Sequence, residues 1–96
     1  MTRMSVVAVR IVVTGRVQGV GFRWHVRETA RRESLAGWVR NLPDGSVELV
    51  ARGDPGSVQR LESSVRTGPP GSRVESVSVE PWQVDGSLPY PFTVMK

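Results

Sequence analysis

The chain has 96 residues with no cysteine, one histidine, a net charge of +4 and a pI near 11.0. This length suits a single domain with one core, and the lack of cysteine excludes disulfides, thiolate chemistry and a cysteine-based zinc site. No apolar run is close in length to a membrane helix, which needs about 20 residues, and the N-terminus lacks a signal-peptide pattern. We therefore predict one cytoplasmic, monomeric domain over residues 1–96, with no metal, no cofactor and no membrane contact.

The basic residues indicate anionic ligands without identifying one. All of the 13 Lys and Arg residues except Lys96 are arginine, and they are scattered along the chain. Because they are scattered, codon usage explains the many arginines better than selection for a positive field that steers phosphorylated substrates or nucleic acid. The ligand must therefore be inferred from local motifs.

Hydrophobic periodicity predicts a strand, a helix and a second strand in the first half of the chain. The β-branched run at 6–13 alternates as a half-buried strand does. From Phe22 onward the apolar residues follow the helical period, and this helix is expected to end near Glu33-Ser34. A second strand is predicted at 35–42.

A hairpin and a capped helix are predicted in the second half. Pro43-Asp44-Gly45 is typical of a hairpin turn, and the third strand at 47–52 alternates apolar residues with Glu48 and Arg52. Asp54 followed by Pro55 indicates a helix N-cap, and the helix should stop at 68–70. The chain ends with a fourth strand at 74–79, a loop at 86–91 and a short strand at 92–94.

The order βαββαβ with a terminal strand predicts an α+β fold, a ferredoxin-like two-layer sandwich. Two split βαβ units with right-handed crossovers place both helices on one face of a mostly antiparallel sheet. Strands one and two then run parallel on either side of strand three, so their C-terminal ends share one edge. Pro81 favours an outer position for the fourth strand.

The glycine-rich stretch at 15–23 (GRVQGVGFR) predicts a phosphate-binding loop between the first strand and the first helix. Gly19 and Gly21 can adopt positive φ, which lets successive backbone N–H groups converge as an anion-binding nest. The helix N-terminus adds unpaired donors, and Arg23 in its first turn can bind two phosphate oxygens at once. The residues whose backbone is assigned to this loop are Gly15, Arg16, Val17, Gln18, Gly19, Val20, Gly21 and Phe22.

Two side chains are candidates for chemistry at this edge. The alternative interpretation of Arg23 is an ordinary solvated arginine with no function. Against it, a cation in the first helical turn opposes the helix dipole unless an anion is bound. Asn41 shares a face with Val39 and can orient a water without ionising, although it also suits the turn that follows. Its place beside the loop favours the functional interpretation. The residues predicted to have structural or packing roles instead are His25, Trp24, Trp38 and Trp82.

The residues that are missing restrict the reaction. No Asp or Glu lies at 15–23 or 37–41, and the loop matches neither a dinucleotide-binding fingerprint nor a P-loop. An acyl phosphate releases a carboxylate, whose acid has a pKa of about 3.9, whereas a phosphomonoester releases an alkoxide, whose acid has a pKa of about 15.7. Because the better leaving group needs no general acid, the site suits an acyl phosphate.

These residues resemble the acylphosphatase family. The stretch at 15–23 is similar to the family's first signature and residues 37–41 (GWVRN) to its second, with similarity over essentially the whole chain. The resemblance implies metal-free hydrolysis of acyl phosphates, in which Arg23 binds the phosphoryl group and Asn41 positions the attacking water. Glu33-Ser34 replaces the Leu-Gly that family members often carry, which is expected to weaken the end of the first helix.

Two other functions stay open on the sequence alone. The same fold binds RNA through aromatic side chains on the sheet, but the third strand has none at 47–51. The chain could also sense phosphate or carbamoyl phosphate with little turnover, or act beside a larger carbamoyl-transfer enzyme. We predict a small-molecule acyl phosphate, and not nucleic acid, as the partner.

Overall fold

The computed structural model describes residues 5–83 and 86–96 and contains one five-stranded sheet with two helices. The elements in chain order are β1 (Val7–Arg16), α1 (Phe22–Arg32), β2 (Ala36–Asn41), β3 (Val47–Gly53), α2 (Pro55–Thr67), β4 (Arg73–Pro81) and β5 (Thr93–Val94). The strand order is β4-β1-β3-β2-β5, and only the β2–β5 pair is parallel. This confirms the predicted ferredoxin-like sandwich. Strands β1 and β2 run in the same direction but are separated by β3, and β4 is an outer strand.

The hydrophobic core lies between the two helices and one face of the sheet. Helix α1 buries Phe22, Val26 and Ala30, as its period predicts, and α2 buries a matching stripe. The sheet contributes alternate residues of its central strands, because successive side chains point to opposite faces. The strand residues in this core are Ile11, Val13, Val39, Val47, Leu49 and Ala51. Both helices therefore cover the same face.

Helix α2 is fixed at both ends by the residues that the sequence indicates. The Asp54 carboxylate accepts hydrogen bonds from the backbone N–H of Gly56 at 2.9 Å and of Ser57 at 3.4 Å. Pro55 is the first helical residue, where its missing N–H costs nothing. The helix ends at Thr67 with Gly68 as its C-cap, at the start of the predicted stop at 68–70.

Strand β1 extends further than the apolar run predicts. Gly15 and Arg16 pair with β4 opposite Val74 and Arg73, across a register shift after Thr14. A Cβ atom at Gly15 would collide with the Arg73 carbonyl oxygen, so glycine is required here for the close approach of β4. The assignment of Gly15 and Arg16 to the loop is therefore wrong, and they belong to the strand.

The face of the sheet away from the helices carries a buried carboxylate. Glu48 lies on that face, as the alternation in β3 predicts, yet it is only 5% exposed. Arg10 from β1 and Arg40 from β2 cover it, each with Nε 2.6 Å from a Glu48 oxygen. The Arg40 guanidinium also lies 5.1 Å from the centre of the Trp38 ring. This charge cluster joins the three central strands.

The end of α1 contains a strained residue where the sequence predicts a weakened cap. Ser34 has a φ of 58° and donates its N–H to the Arg31 carbonyl at 3.1 Å. This left-handed conformation costs an L-residue about 1–2 kcal/mol, whereas glycine adopts it freely.

We expect Ser34→Gly to stabilise the protein by about 0.5–1 kcal/mol, because the relief of strain exceeds the added freedom of the unfolded chain. Urea unfolding should show a higher midpoint with an unchanged slope. The matched control is Ser63→Gly, at an exposed position in the middle of α2. This variant should have a free energy of unfolding lower by about 0.5 kcal/mol. Equal losses in both variants would contradict this account of Ser34.

Candidate active site

The loop between β1 and α1 brings backbone N–H groups to the start of a helix. Gly19 and Gly21 have φ values of 74° and 79°, as the predicted nest requires, and the space beside both α-carbons is open. Helix α1 has no side-chain cap and no acidic residue in its first turn. Its positive end therefore has neither a capping side chain nor an acid in its own first turn, which makes it a favourable place for a bound anion.

A cavity of about 320 Å³ opens beside this loop. That volume is at the lower end of the range of small-molecule sites, which is about 300–1,000 Å³. Arg23 from α1 and Asn41 from β2 both lie on its wall, so the fold brings the two candidate side chains together. The wall consists of Val17, Gly19, Gly21, Phe22, Arg23, Trp24, Arg27, Asn41 and Val94.

Arg23 is half-buried in the first turn of α1. Among residues 5–83 and 86–96, no carboxylate forms an ion pair with its guanidinium. A cation at the positive end of a helix is unfavourable by about 0.3–1 kcal/mol. A bound anion would remove this conflict.

Asn41 is the last residue of β2, opposite Val47 of β3. It shares the helix-side face with Val39, as expected from the alternation along the strand. Its Oδ1 is buried and accepts no hydrogen bond from the described part of the chain. A buried polar atom without a partner is costly, so a hydrogen bond from a water or ligand to this oxygen would be favourable.

The side chain of Gln18 has a role that the sequence did not indicate. Its Nε2 donates hydrogen bonds to the carbonyl oxygens of Leu42 at 2.9 Å and Ser46 at 2.8 Å. These carbonyls belong to the hairpin between β2 and β3, immediately after Asn41. Beyond the backbone that the sequence assigns to the loop, Gln18 thus contributes its side-chain amide, which holds the loop against the strand end that carries Asn41.

The remaining loop residues divide between the wall and the core. Val17 and Phe22 are buried in the core and also touch the cavity. Val20 packs against the core, and neither it nor Gln18, Gly15 or Arg16 is on the wall. Of the predicted loop, only Val17, Gly19, Gly21 and Phe22 are thus on the cavity wall, together with Arg23 of the first helical turn.

The aromatic and histidine predictions have mixed outcomes. Trp24 is 61% exposed on the cavity wall, so its predicted packing role is wrong, since it follows Arg23 on the helix and points away from the core stripe. Trp82 is only 37% exposed, and Trp38 packs under Arg40. His25 has the predicted structural role, because its Nε2 lies 2.8 Å from Ser64 Oγ and joins α1 to α2.

The described residues include no cluster of three or more His, Cys, Asp or Glu side chains that could hold a metal ion. The same part of the chain has no helix long and apolar enough to cross a membrane. The cavity wall described above carries two guanidinium groups and one amide, and no carboxylate. The arrangement can therefore bind and polarise an anion but offers no carboxylate base.

Together, the fold and the cavity define a two-layer α+β protein with a cationic site at its first strand–helix loop. The family model for acylphosphatase matches residues 9–93. The chain is 52% identical over 79 residues to an acylphosphatase of Chlorobaculum tepidum, an overlap of 82% of this chain and 86% of that one. It therefore belongs to the acylphosphatase family of hydrolases, as the two sequence signatures indicate.

Solved structures agree with this assignment. The crystal structure of acylphosphatase from Bacillus subtilis is 39% identical with a TM-score of 0.86, covering 96% of this chain and all (100%) of that one. An acylphosphatase structure from Coxiella burnetii is 38% identical with a TM-score of 0.88, covering 99% and 100% respectively. The similarity thus extends over both layers of the sandwich.

Proposed function

We propose that this chain hydrolyses acyl phosphates to a carboxylate and inorganic phosphate in the cavity between α1 and the end of β2. Membership of the acylphosphatase family supports the reaction. The observation that carries the residue-level mechanism is that Arg23 and Asn41 lie on one cavity wall that has no acidic residue, while Asn41 Oδ1 has no hydrogen-bond partner among the described residues.

Arg23 and the loop amides bind the phosphoryl group. The N–H groups around Gly19 and Gly21 offer fixed donors at the positive end of α1, and the guanidinium adds a full charge. Phosphoryl transfer passes through a loose transition state with charge spread over three oxygens, so its catalysis depends on positioning and charge stabilisation. Donors fixed by a loop and a helix end need little reorganisation during the reaction, which supports this role.

Asn41 orients the attacking water. Its Oδ1 accepts a hydrogen bond from the water and directs an oxygen lone pair toward phosphorus. The neutral amide does not remove a proton, so the proton passes to a phosphoryl oxygen as the new P–O bond forms. The bond between phosphorus and the acyl oxygen breaks, and its electron pair leaves on the carboxylate.

The substrate class follows from the groups that the cavity wall provides. No carboxylate or imidazole on that wall can protonate a leaving group. A carboxylate leaves unprotonated at neutral pH, whereas an alkoxide would need an acid, since the acids of the two differ by roughly twelve pKa units. An acyl phosphate, which is a mixed anhydride and not an ester, is therefore the phosphorylated substrate that suits this site.

We expect Asn41→Ala to lower kcat for acetyl phosphate by about 10²–10³, the loss typical of removing one aligned polar group, with a smaller change in the inhibition constant of inorganic phosphate. Phosphate release would be measured in EDTA, beside glycerol 3-phosphate, an alkyl monoester that should not be cleaved. The control is Gln59→Ala, an exposed amide on α2.

Two results would overturn the proposal: full activity of Asn41→Ala, or equal cleavage of both substrates by the unmodified chain. Tight phosphate binding with no turnover of acetyl phosphate would instead support the sensor hypothesis.

A monomer that binds no nucleic acid is part of the proposal. The open face of the sheet is where this fold would bind RNA, and there Arg10 and Arg40 are paired with Glu48. Paired guanidinium groups are poor phosphate contacts. Salt-sensitive binding of single-stranded RNA that inorganic phosphate does not displace would contradict this part.

A further inference from the structure

A second guanidinium lies on the cavity wall, one helical turn after the first. Arg27 follows Arg23 at the i+4 position of α1, where neighbouring Cβ atoms are about 5–6 Å apart. Its Nε atom is buried and makes no hydrogen bond within the described residues. The nearest acid is Glu28, with Oε2 3.4 Å from Nε, and both side chains are more than one-third exposed. An exposed pair of this kind contributes little.

The position of Arg27 has no explanation in the hydrolysis mechanism. One guanidinium and the loop amides already surround a phosphoryl group, and like charges at i and i+4 destabilise a helix. The cavity wall carries no carboxylate that would balance the second charge. A single phosphoryl group therefore leaves Arg27 on the wall with only the exposed Glu28 carboxylate as a counter-charge among the described residues.

The cavity also extends beyond the two candidate catalytic side chains. Trp24 is exposed on the same wall, next to Arg23 in sequence and three residues before Arg27. Its ring offers apolar surface to a short carbon chain. The wall thus presents a cation for a phosphoryl group, an apolar surface and a second cation.

We propose that Arg27 is a specificity-determining residue that selects acyl phosphates whose acyl portion carries a second anionic group. Its guanidinium binds that group while Arg23 holds the phosphoryl group, and the carbons between them lie against Trp24. This inference rests on the proposed function, because it names the preferred substrate of the same site.

The test compares two acyl phosphates of equal carbon number, succinyl phosphate with a terminal carboxylate and butyryl phosphate with a terminal methyl group. We expect kcat/KM to favour succinyl phosphate by about tenfold in the unmodified chain, since charge-assisted hydrogen bonds are the strong ones. Arg27→Gln should reduce that ratio to about one. Arg27→Lys, which keeps the charge but not the fork of donors, should retain part of the preference.

Arg66→Gln is the matched control. It removes the same charge from an exposed position on α2, away from the cavity wall, and should leave the ratio unchanged. An equal drop in this variant would assign the preference to the overall field of the protein and overturn the proposal. A ratio that stays the same in Arg27→Gln would also overturn it.

Failure of the proposed function gives a different result. If the unmodified chain cleaves neither substrate, the hydrolytic activity itself is wrong. If it cleaves both and the ratio is insensitive to Arg27, only the selection by a second anion is wrong.

Discussion

Replacing Arg23 by alanine is expected to lower kcat/KM for acetyl phosphate by about 10³–10⁵, the range measured for guanidinium groups that stabilise phosphoryl transfer. Arg23 lies at the positive end of α1 beside the loop amides, so its loss removes the only full charge in the first helical turn. Arg23→Lys should recover a small part of the rate, because an ammonium group supplies charge without a bidentate fork.

The same substitution should leave the fold intact. A cation at the N-terminal end of a helix opposes the dipole by about 0.3–1 kcal/mol, so Arg23→Ala should be at least as stable as the unmodified chain. Two measurements on each variant check this: the initial rate of phosphate release, and the free energy of unfolding in urea. The control is Arg66→Ala, an exposed arginine near the end of α2. A rate loss that only follows a stability loss would remove the catalytic role of Arg23.

The second large effect is on stability. Glu48→Gln is expected to destabilise the protein by about 2–3 kcal/mol, or roughly 10–20 °C in Tm. The substitution leaves Arg10 and Arg40 without their shared counter-charge. The loss is smaller than for a fully buried pair, because the two arginine side chains are 28% and 45% exposed and can be partly solvated.

Glu80→Gln is the control for this prediction. Glu80 also pairs with Arg10, with 2.8 Å between Oε1 and Nη1, but its side chain is 54% exposed. Exposed pairs contribute about 0–1 kcal/mol. Thermal unfolding of both variants at neutral pH should therefore separate them clearly, and equal Tm values would argue against a special role for the buried carboxylate.

The Glu48 cluster also sets a direction for pH dependence. Burial alone would raise the pKa of Glu48, but hydrogen bonds from Arg10 and Arg40 outweigh it and hold the pKa below its ordinary value of 4.5. A lowered pKa means that the stabilisation is fully present above about pH 4.5 and is lost as the pH falls through the folded value.

The stability gap between the unmodified chain and Glu48→Gln should consequently be constant from pH 7 to pH 5 and narrow in stronger acid. The pKa values of Glu33, paired with Arg60, and Asp44, hydrogen-bonded to Ser46, are lowered as well. Because the unmodified chain and Glu48→Gln both retain Glu33 and Asp44, the difference between their free energies of unfolding isolates Glu48. A gap that widens in acid would contradict the sign of the shift.

Local signals in the sequence predict most of the fold. The helical period from Phe22, the Asp54-Pro55 cap and the Asp44-Gly45 turn each depend on neighbouring residues, and the structure confirms all three. Ser34 is a similar case, since the missing glycine at the end of α1 corresponds to the positive φ found there. Such features need no knowledge of distant strands.

Features that depend on distant strands were not predictable in the same way. The extension of β1 through Gly15 is set by pairing with Val74 of β4, which comes much later in the sequence. The Gln18 amide and the Glu48 carboxylate find partners only once the hairpin and the sheet have formed. For Gln18, the one available signal was that a side chain with two donors occupies a loop otherwise rich in glycine and valine.

The parallel pairing of β5 with β2 affects when the cavity can exist. Val94 in β5 forms part of the wall that also holds Arg23, which comes from the other half of the chain. Contacts between distant segments require large loops to close and tend to form late. Ligand binding should thus be among the last properties that a refolding chain acquires, after its helices and the β1–β3 ladder, so binding can serve as a kinetic probe of complete assembly.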